Sequence, residues 1–417
     1  MSRPVEAAGL LAAMRASAAP FIELRRDLHR HPELGFAELR TAEIVAERLE
    51  SWGYAVAREV GGTGVVGTLR RGTGTRRLGL RADMDALPIQ ETDAEGRPWR
   101  SRHAGRMHAC GHDGHTAMLL AAAERLAREG AFDGTLHLIF QPAEELGGAP
   151  GGSGGQRMLA DGLFERFPCD AVFAMHNMPG LPQGRLLLRE GAAMASSDYA
   201  TVTLHGVGGH GAMPHLAADP VVAAASVVMA LQTVVSRNVD PQQTAVVTVG
   251  ALHAGQANNV IPAQATLELS LRSLDRGVRE LLQRRIRALV AAQAESYGVR
   301  AEIDWKPGYS VLVNTLAETE FARQVALELL GPGQVTLQGP ALTGSEDFAF
   351  LLERVPGSYV LIGNGERAPE GERDGAAAPP PGACMVHHPG YDFHDDNVAV
   401  GAAFWVRLVE RYLAAPA

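Results

Sequence analysis

Apolar residues fall in short blocks separated by stretches of helical spacing. The blocks at 65–69, 78–81, 135–140, 171–175 and 358–362 are too short for helices and are bounded by glycine, proline or polar residues, so they predict buried strands. Helical spacing marks 37–52, with Leu39, Ile44, Val45 and Leu49 on one face and Gly53 as the stop. It marks the run from Met118 to Leu126, then 316–330 and 396–413. Residues 4–30 predict one helix that ends before Pro32, because proline pushes the preceding residue out of the α region. Strands alternating with helices predict an α/β fold around a mixed, mostly parallel sheet.

The rhythm changes at 197–306. A strand is predicted at 199–204, then a helix over 219–238 capped by Asp219 with Pro220 at its first position. Strands at 244–249 and 266–272 follow. A helix over 278–297 then turns Leu281, Leu282, Ile286, Leu289 and Val290 inward, before a short strand at 299–303. The order β-α-β-β-α-β is a complete ferredoxin-like unit. It interrupts a discontinuous domain of residues 1–196 and 307–417, and 417 residues fit two or three domains at roughly 150 residues each.

Composition narrows the setting. A hydrophobic fraction of 46% beside 20% charged residues is that of a soluble globular chain. A net charge of −9 with no concentrated basic stretch argues against nucleic acid as a partner. No apolar run reaches about 18 residues, so no membrane-spanning helix is expected. The first residues lack the apolar core of a signal peptide. Three scattered cysteines form no disulfide framework, and the expected location is a reducing, cytoplasmic one.

The chemistry concentrates at residues 107–120, where His108, Cys110, His112, Asp113 and His115 lie within eight residues. Thiolate, imidazole and carboxylate are the side chains that bind first-row divalent metals. Gly111 and Gly114 free the backbone to bend, and the apolar run that follows places the cluster in a turn leading into a helix. One cluster cannot close a metal site. Three of the predicted strands, however, run into further metal-competent residues: Asp83 and Asp85, Glu144 and Glu145, and His176. In an α/β sheet, ligands bind beyond the carboxyl ends of the strands.

These residues stand in recognisable motifs. They are Leu-His-Arg-His-Pro-Glu at 28–33, Gly-Leu-Arg-Ala-Asp-Met-Asp-Ala-Leu-Pro at 79–88, Met-His-Ala-Cys-Gly-His-Asp-Gly-His at 107–115 and Gln-Pro-Ala-Glu-Glu at 141–145. Gly-His-Gly-Ala-Met-Pro-His at 209–215, Asn-Val-Ile-Pro at 259–262, Thr-Gly-Ser-Glu-Asp-Phe at 343–348 and His-His-Pro at 387–389 continue the series. Over residues 20–415 the chain resembles the M20 metallopeptidase family, and within it the amidohydrolase branch of hippurate, N-acyl-amino-acid and auxin-conjugate hydrolases.

The resemblance implies a catalytic domain binding two divalent ions, Mn²⁺ or Zn²⁺ with Co²⁺ or Ni²⁺ as further options. It also implies an inserted domain through which two chains form a homodimer. Its implied ligands are Cys110, bridging the ions, with His112, Glu145, His176 and His387; His388 is the neighbouring alternative to His387. Asp83 stands where the peptidase branch has a histidine ligand, and Asp85 orients a ligand without being one. Glu144 would act as general base. His210 would reach across from the partner subunit, and Asn259 and Arg272 would hold the α-carboxylate of the substrate. The implied reaction is hydrolysis of N-acyl or N-aroyl amino acids. A dipeptidase or carboxypeptidase using the same site is the nearest rival. A non-catalytic metal-stabilised module is a further one, but it has no need of Glu144 beside Glu145. His205, His215 and His253 read as structural. The stretch 147–156 is longer and richer in glycine than the family pattern, and 363–383 reads as an inserted mobile loop. Both adjoin the site, so acyl-group and amino-acid preference stay open.

Overall fold

The computed structural model describes residues 7–92, 97–148, 150–366 and 383–414, so 367–382 of the predicted loop lie outside the described residues. The chain divides into two compact units. The first comprises Met1–Gly191, Val313–Pro340 and Phe350–Ala417; the second comprises Ala192–Leu312 and Ala341–Ala349.

The first unit is built on an eight-stranded mixed sheet. Its strands run in the order Ala55–Val60, Gly64–Arg71, Gly134–Gln141, Arg77–Asp83, Ala171–Met178, Gly357–Gly363, Leu186–Leu187 and Val335–Thr336. The four central strands, from Gly134–Gln141 to Gly357–Gly363, are mutually parallel; Gly64–Arg71 and Leu186–Leu187 pair antiparallel with them on either side, and beyond these Ala55–Val60 is antiparallel and Val335–Thr336 parallel to its neighbour. Their near-continuous burial matches the apolar blocks, since a parallel strand is covered on both faces. Helices His112–Glu129 and Asn397–Tyr412 pack against each other. A Cβ on Gly401 would lie 2.2 Å from Met118 Sδ, so that glycine sets how closely they approach.

Three of the differences from the sequence reading have a direct physical reason. The single helix expected over 4–30 is two, Ala7–Ala16 and Ala19–Arg30, and residues 4–6 lie outside the described residues. Pro20 sits in the first turn of the second helix, where its missing N–H costs nothing but a continuous helix would lose a bond. Strand Ala55–Val60 has no apolar block because only Val60 is buried and the other five residues are half-buried or exposed. It returns through Gly61 and Gly62 to pair with Gly64–Arg71. Strand Ala171–Met178 runs past 175, so His176 lies within the ladder rather than after it.

The second unit is an antiparallel four-stranded sheet in the order Ala245–Ala254, Gln264–Ser273, Ser196–His205, Arg300–Pro307. With helices Pro220–Asn238 and Arg276–Ser296 it forms the ferredoxin-like arrangement. Asp219 caps the first helix, accepting from Val221 N–H at 2.8 Å. Among the described residues that helix alone is long and apolar enough to cross a membrane, with a mean hydropathy of 1.5, although none was expected. Ala223, Ala224, Val227, Leu231 and Val234 account for one apolar face, because they are buried in the unit's core.

A buried charge network ties helix Ala19–Arg30 to the rest of the first unit. The Arg25 guanidinium reaches Asp113 and Asp392, and His29 bridges Asp113 at 2.9 Å and Glu91 at 3.4 Å. Arg97 donates to the same Glu91 carboxylate. Burial alone would lower the His29 pKa, but the Asp113 charge and the bonds from Asp113 and Glu91 outweigh it and raise it to about 9.

In the unfolded chain His29 loses its proton near 6.5. Its contribution to stability is therefore full below about 6.5 and is lost as pH rises through about 9. Urea unfolding of the wild type should lose on the order of 3 kcal/mol more over that interval than a His29→Gln variant. Equal slopes for the two proteins would remove this role from His29.

Candidate metal centre

The centre forms where the parallel strands end. Gly111 caps helix His112–Glu129 with φ +88°, and a Cβ there would lie 2.4 Å from both Asn177 Nδ2 and Tyr391 Oη. Only glycine fits that turn. Asn177 Nδ2 donates to the Cys110 carbonyl at 2.6 Å, and the Tyr391 hydroxyl donates to Asn177 Oδ1 at 2.7 Å. Cys110 Sγ is thereby held 3.3 Å from His176 Nε2. His176 Nδ1 donates to the Asn177 carbonyl at 2.6 Å. Burial, then His115, keeps this imidazole's pKa well below the ordinary value, so its Nε2 lone pair faces the thiol.

Asp85 ties two further residues together. One carboxylate oxygen meets His112 Nδ1 at 3.2 Å and the other accepts from Glu145 N–H at 3.0 Å. His112 Nε2 is buried and makes no hydrogen bond among the described residues. It lies 4.0 Å from Glu145 Oε1, which is 3.0 Å from His387 Nε2. The backbone of His387 has φ +66°, and its N–H donates to the Ala109 carbonyl at 2.7 Å, hooking this segment onto the cysteine turn. His388 Nδ1 instead accepts from Gly390 N–H inside its own loop.

Ligand atoms converge in sets. Those of Cys110, His112 and His176 lie within 4.8 Å of one another, as do those of Cys110, Glu145 and His387, and those of His112, Glu144 and Glu145. In a fourth set, Asp83, His112 and His115, the Asp83 and His115 atoms are already satisfied. His115 Nδ1 bonds Asp83 Oδ1 at 2.6 Å, its Nε2 accepts from Asn177 N–H at 3.0 Å, and Asp83 Oδ2 takes Arg81 at 2.6 Å.

The electrostatics of the first three sets call for a cation. Burial, then the carboxylates of Glu145, Glu144 and Asp83, push the Cys110 thiol well above its ordinary value. Burial would lower His112, but Asp83 and Asp85 overcome it and raise it to about 10. A thiolate among these acids needs compensating positive charge. Donors of sulfur, imidazole nitrogen and carboxylate oxygen, together with the unpartnered His112 Nε2, fit a first-row divalent ion.

The remaining sequence-derived candidates belong to the second unit. His210 is exposed in a short ladder opposite Val260, and its Nδ1 accepts from Ala212 N–H at 3.1 Å. The Asn259 carbonyl accepts from Gly211 N–H at 2.8 Å, so the two predicted residues share one turn pair. Arg272 is partly buried, donating to Ser345 Oγ at 2.8 Å and to the Tyr199 hydroxyl. Sequence reasoning missed Asn177 and Tyr391 as braces of the cysteine turn. Their only signal was position, just after His176 and His388, because both act over more than 60 residues of chain.

The family model described as peptidase family M20/M25/M40 matches residues 79–411. A hippurate hydrolase of Campylobacter jejuni is 42% identical over 394 residues, covering 94% of this chain and 96% of that protein. An IAA-amino acid hydrolase of Arabidopsis thaliana is 37% identical, covering 94% and 85%. A crystal structure from Bacillus subtilis, described as a dinuclear metal binding peptidase of the M20 family, superposes with a TM-score of 0.79 at 31% identity, covering 96% and 99%. Likeness of that extent, in sequence and in fold, makes this chain a member of peptidase family M20/M25/M40 and a hydrolase of its amidohydrolase branch.

Proposed function

We propose that this protein hydrolyses the amide bond of N-acyl or N-aroyl amino acids, of the hippurate or N-acetyl type, to a carboxylate and a free amino acid. The observation that carries the reading is the sharing of Cys110 between two ligand sets, one with His112 and His176 and the other with Glu145 and His387. Cys110 would thus serve both sets. Cys110, His112, Glu145, His176 and His387 would hold two divalent ions, Mn²⁺ or Zn²⁺ with Co²⁺ or Ni²⁺ as options, and Asp85 would fix His112 and Glu145 in place. Bound there, the ions supply acidification of water and polarisation of the scissile carbonyl.

The chain's own residues do the rest. Glu144 is buried beside His112 and Glu145, and takes a proton from water and delivers it to the leaving nitrogen. Arg272 and Asn259 receive the α-carboxylate, for which a planar guanidinium is suited. His210 donates to the oxyanion in the partner subunit's site. Dimerisation through the inserted unit is supported by the exposed Val221, Val222 and Met229 on helix Pro220–Asn238. A reducing, cytoplasmic setting would suit a metal site that uses the Cys110 thiol as a ligand.

Three outcomes are expected. Purified protein with added Mn²⁺ or Zn²⁺ should release amino acid from hippurate or N-acetyl-Met faster than from Ala-Ala. Chelation should abolish this and metal should restore it. Preference for Ala-Ala would turn the reading to a dipeptidase, and full turnover by protein shown metal-free by elemental analysis would end the metal reading.

Glu144→Gln should keep its metal and lose at least roughly 10²-fold in kcat, whereas Cys110→Ala should lose metal. Retention of both ions by Cys110→Ala would remove the bridge.

The third outcome concerns the partner's role. Inactive His210→Ala and Glu144→Gln subunits, mixed and exchanged in equal amounts, should regain about a quarter of wild-type activity, since half the dimers are mixed and each has one intact site. No recovery after verified exchange would reject a role in the partner subunit.

A further inference from the structure

The turn that presents Glu144 and Glu145 is held in a conformation its sequence does not favour. Ala143 has φ +47°, in the left-handed region. A non-glycine residue there is strained, because its Cβ crowds the following carbonyl oxygen. Such a residue persists only when its surroundings hold it.

Two contacts hold it. The Ala143 N–H donates to Glu38 Oε1 at 2.8 Å, and the Ala143 carbonyl accepts from Gly154 N–H at 3.0 Å. A Cβ on Gly154 would lie 1.6 Å from the Pro142 carbonyl oxygen, so the glycine-rich stretch after the acidic pair closes tightly over the same turn. Ser153, next to it, starts helix Gly154–Ala160, its N–H donating to Gln156 Oε1 at 3.1 Å.

Glu38 is placed oddly for a structural acid. It is the N-cap residue of helix Leu39–Ser51, but its side chain makes no capping bond. It is fully buried instead, with its second carboxylate oxygen accepting from the Thr63 hydroxyl. Burying a carboxylate is costly, and packing alone would be served better by an apolar side chain.

We propose that Glu38 is a positioning residue for the Glu144–Glu145 pair, acting through the left-handed Ala143 turn. This rests on the reading of Glu144 as general base and Glu145 as ligand. Without the Glu38 acceptor, Ala143 relaxes toward an ordinary backbone conformation and the two acids leave their places beside His112.

The test compares wild type with Glu38→Ala, Glu38→Gln and the double variant Glu38→Ala, Ala143→Gly. Each is assayed on hippurate with Mn²⁺ for kcat and KM, for Mn²⁺ affinity, for thermal midpoint and for hydrogen exchange of the amides at 143–146. Glu38→Ala should lower kcat about 10- to 100-fold with KM changed by less than about threefold, as small misplacements of reacting groups do. It should weaken Mn²⁺ binding and speed exchange at Ala143. Glu38→Gln keeps an acceptor oxygen and should stay near wild type. Glycine at 143 adopts positive φ readily, so the double variant should recover at least about threefold in kcat over Glu38→Ala.

Wild-type kcat and unchanged exchange in Glu38→Ala would overturn the proposal. So would a loss of activity that merely follows the folded fraction and is not relieved by glycine at 143. If Glu38→Ala does not fold, Glu38→Met, similar in length and without an acceptor, takes its place. Glu144→Gln is assayed alongside. Full turnover by that variant would end the general-base reading, while amide exchange and Mn²⁺ affinity would still decide for or against Glu38.

Discussion

Buried negative charge is the constraint on which the first unit depends. Asp83, Asp85, Glu144 and the Cys110 thiol are all withdrawn from water near the ends of the parallel strands, with Glu145 beside them. An isolated buried carboxylate is costly, so each must find positive charge or donated hydrogen bonds. Asp83 does so through Arg81 and His115. Asp85 does so through His112 and the Glu145 amide. What is left over is concentrated at Cys110, Glu145 and the open nitrogen of His112, and that remainder is where a cation fits. A second set of buried acids, Asp113, Glu91 and Asp392, is neutralised wholly from within by Arg25, His29 and Arg97. The two sets adjoin through His112 and Asp113, neighbours in the first turn of one helix, which face different partners.

The strands do not deliver these side chains alone. Three turns carry them, and each contains a residue in the left-handed region: Gly111 beside Cys110 and His112, Ala143 beside Glu144 and Glu145, and His387 itself. Each turn is fixed by hydrogen bonds with sequence-distant groups: Asn177 donates to the first, and Glu38 and Ala109 accept from the second and third. Glycine takes such a conformation at no steric cost, whereas Ala143 and His387 require their contacts. Rigidity at the centre is thus obtained from the surrounding fold, which holds these side chains in one fixed arrangement. The second unit is simpler. A continuous antiparallel ladder and two helices form its own core, and His210 and Arg272 sit on its turns and strand ends.

The sequence by itself determined the element plan. Periodicity is a local property, and it was enough to locate the buried parallel strands, the β-α-β-β-α-β insertion and the helix over Leu316–Leu330. Motif chemistry likewise identified which side chains could bind a metal. Strand Ala55–Val60 escaped because a half-exposed edge carries no apolar block, and the break at Ser17–Ala18 escaped because the apolar spacing continues across it. Only the tertiary structure decided which of several similar residues has an atom to spare. His115 and His176 look alike in sequence, yet Asp83 and Asn177 occupy both nitrogens of the first and leave Nε2 of the second facing Cys110. His387 and His388 are adjacent, yet one turns to Glu145 and the other to its own loop. Hydrogen-bond partners arrive from distant parts of the chain, and the order of residues along a strand or helix carries no record of them.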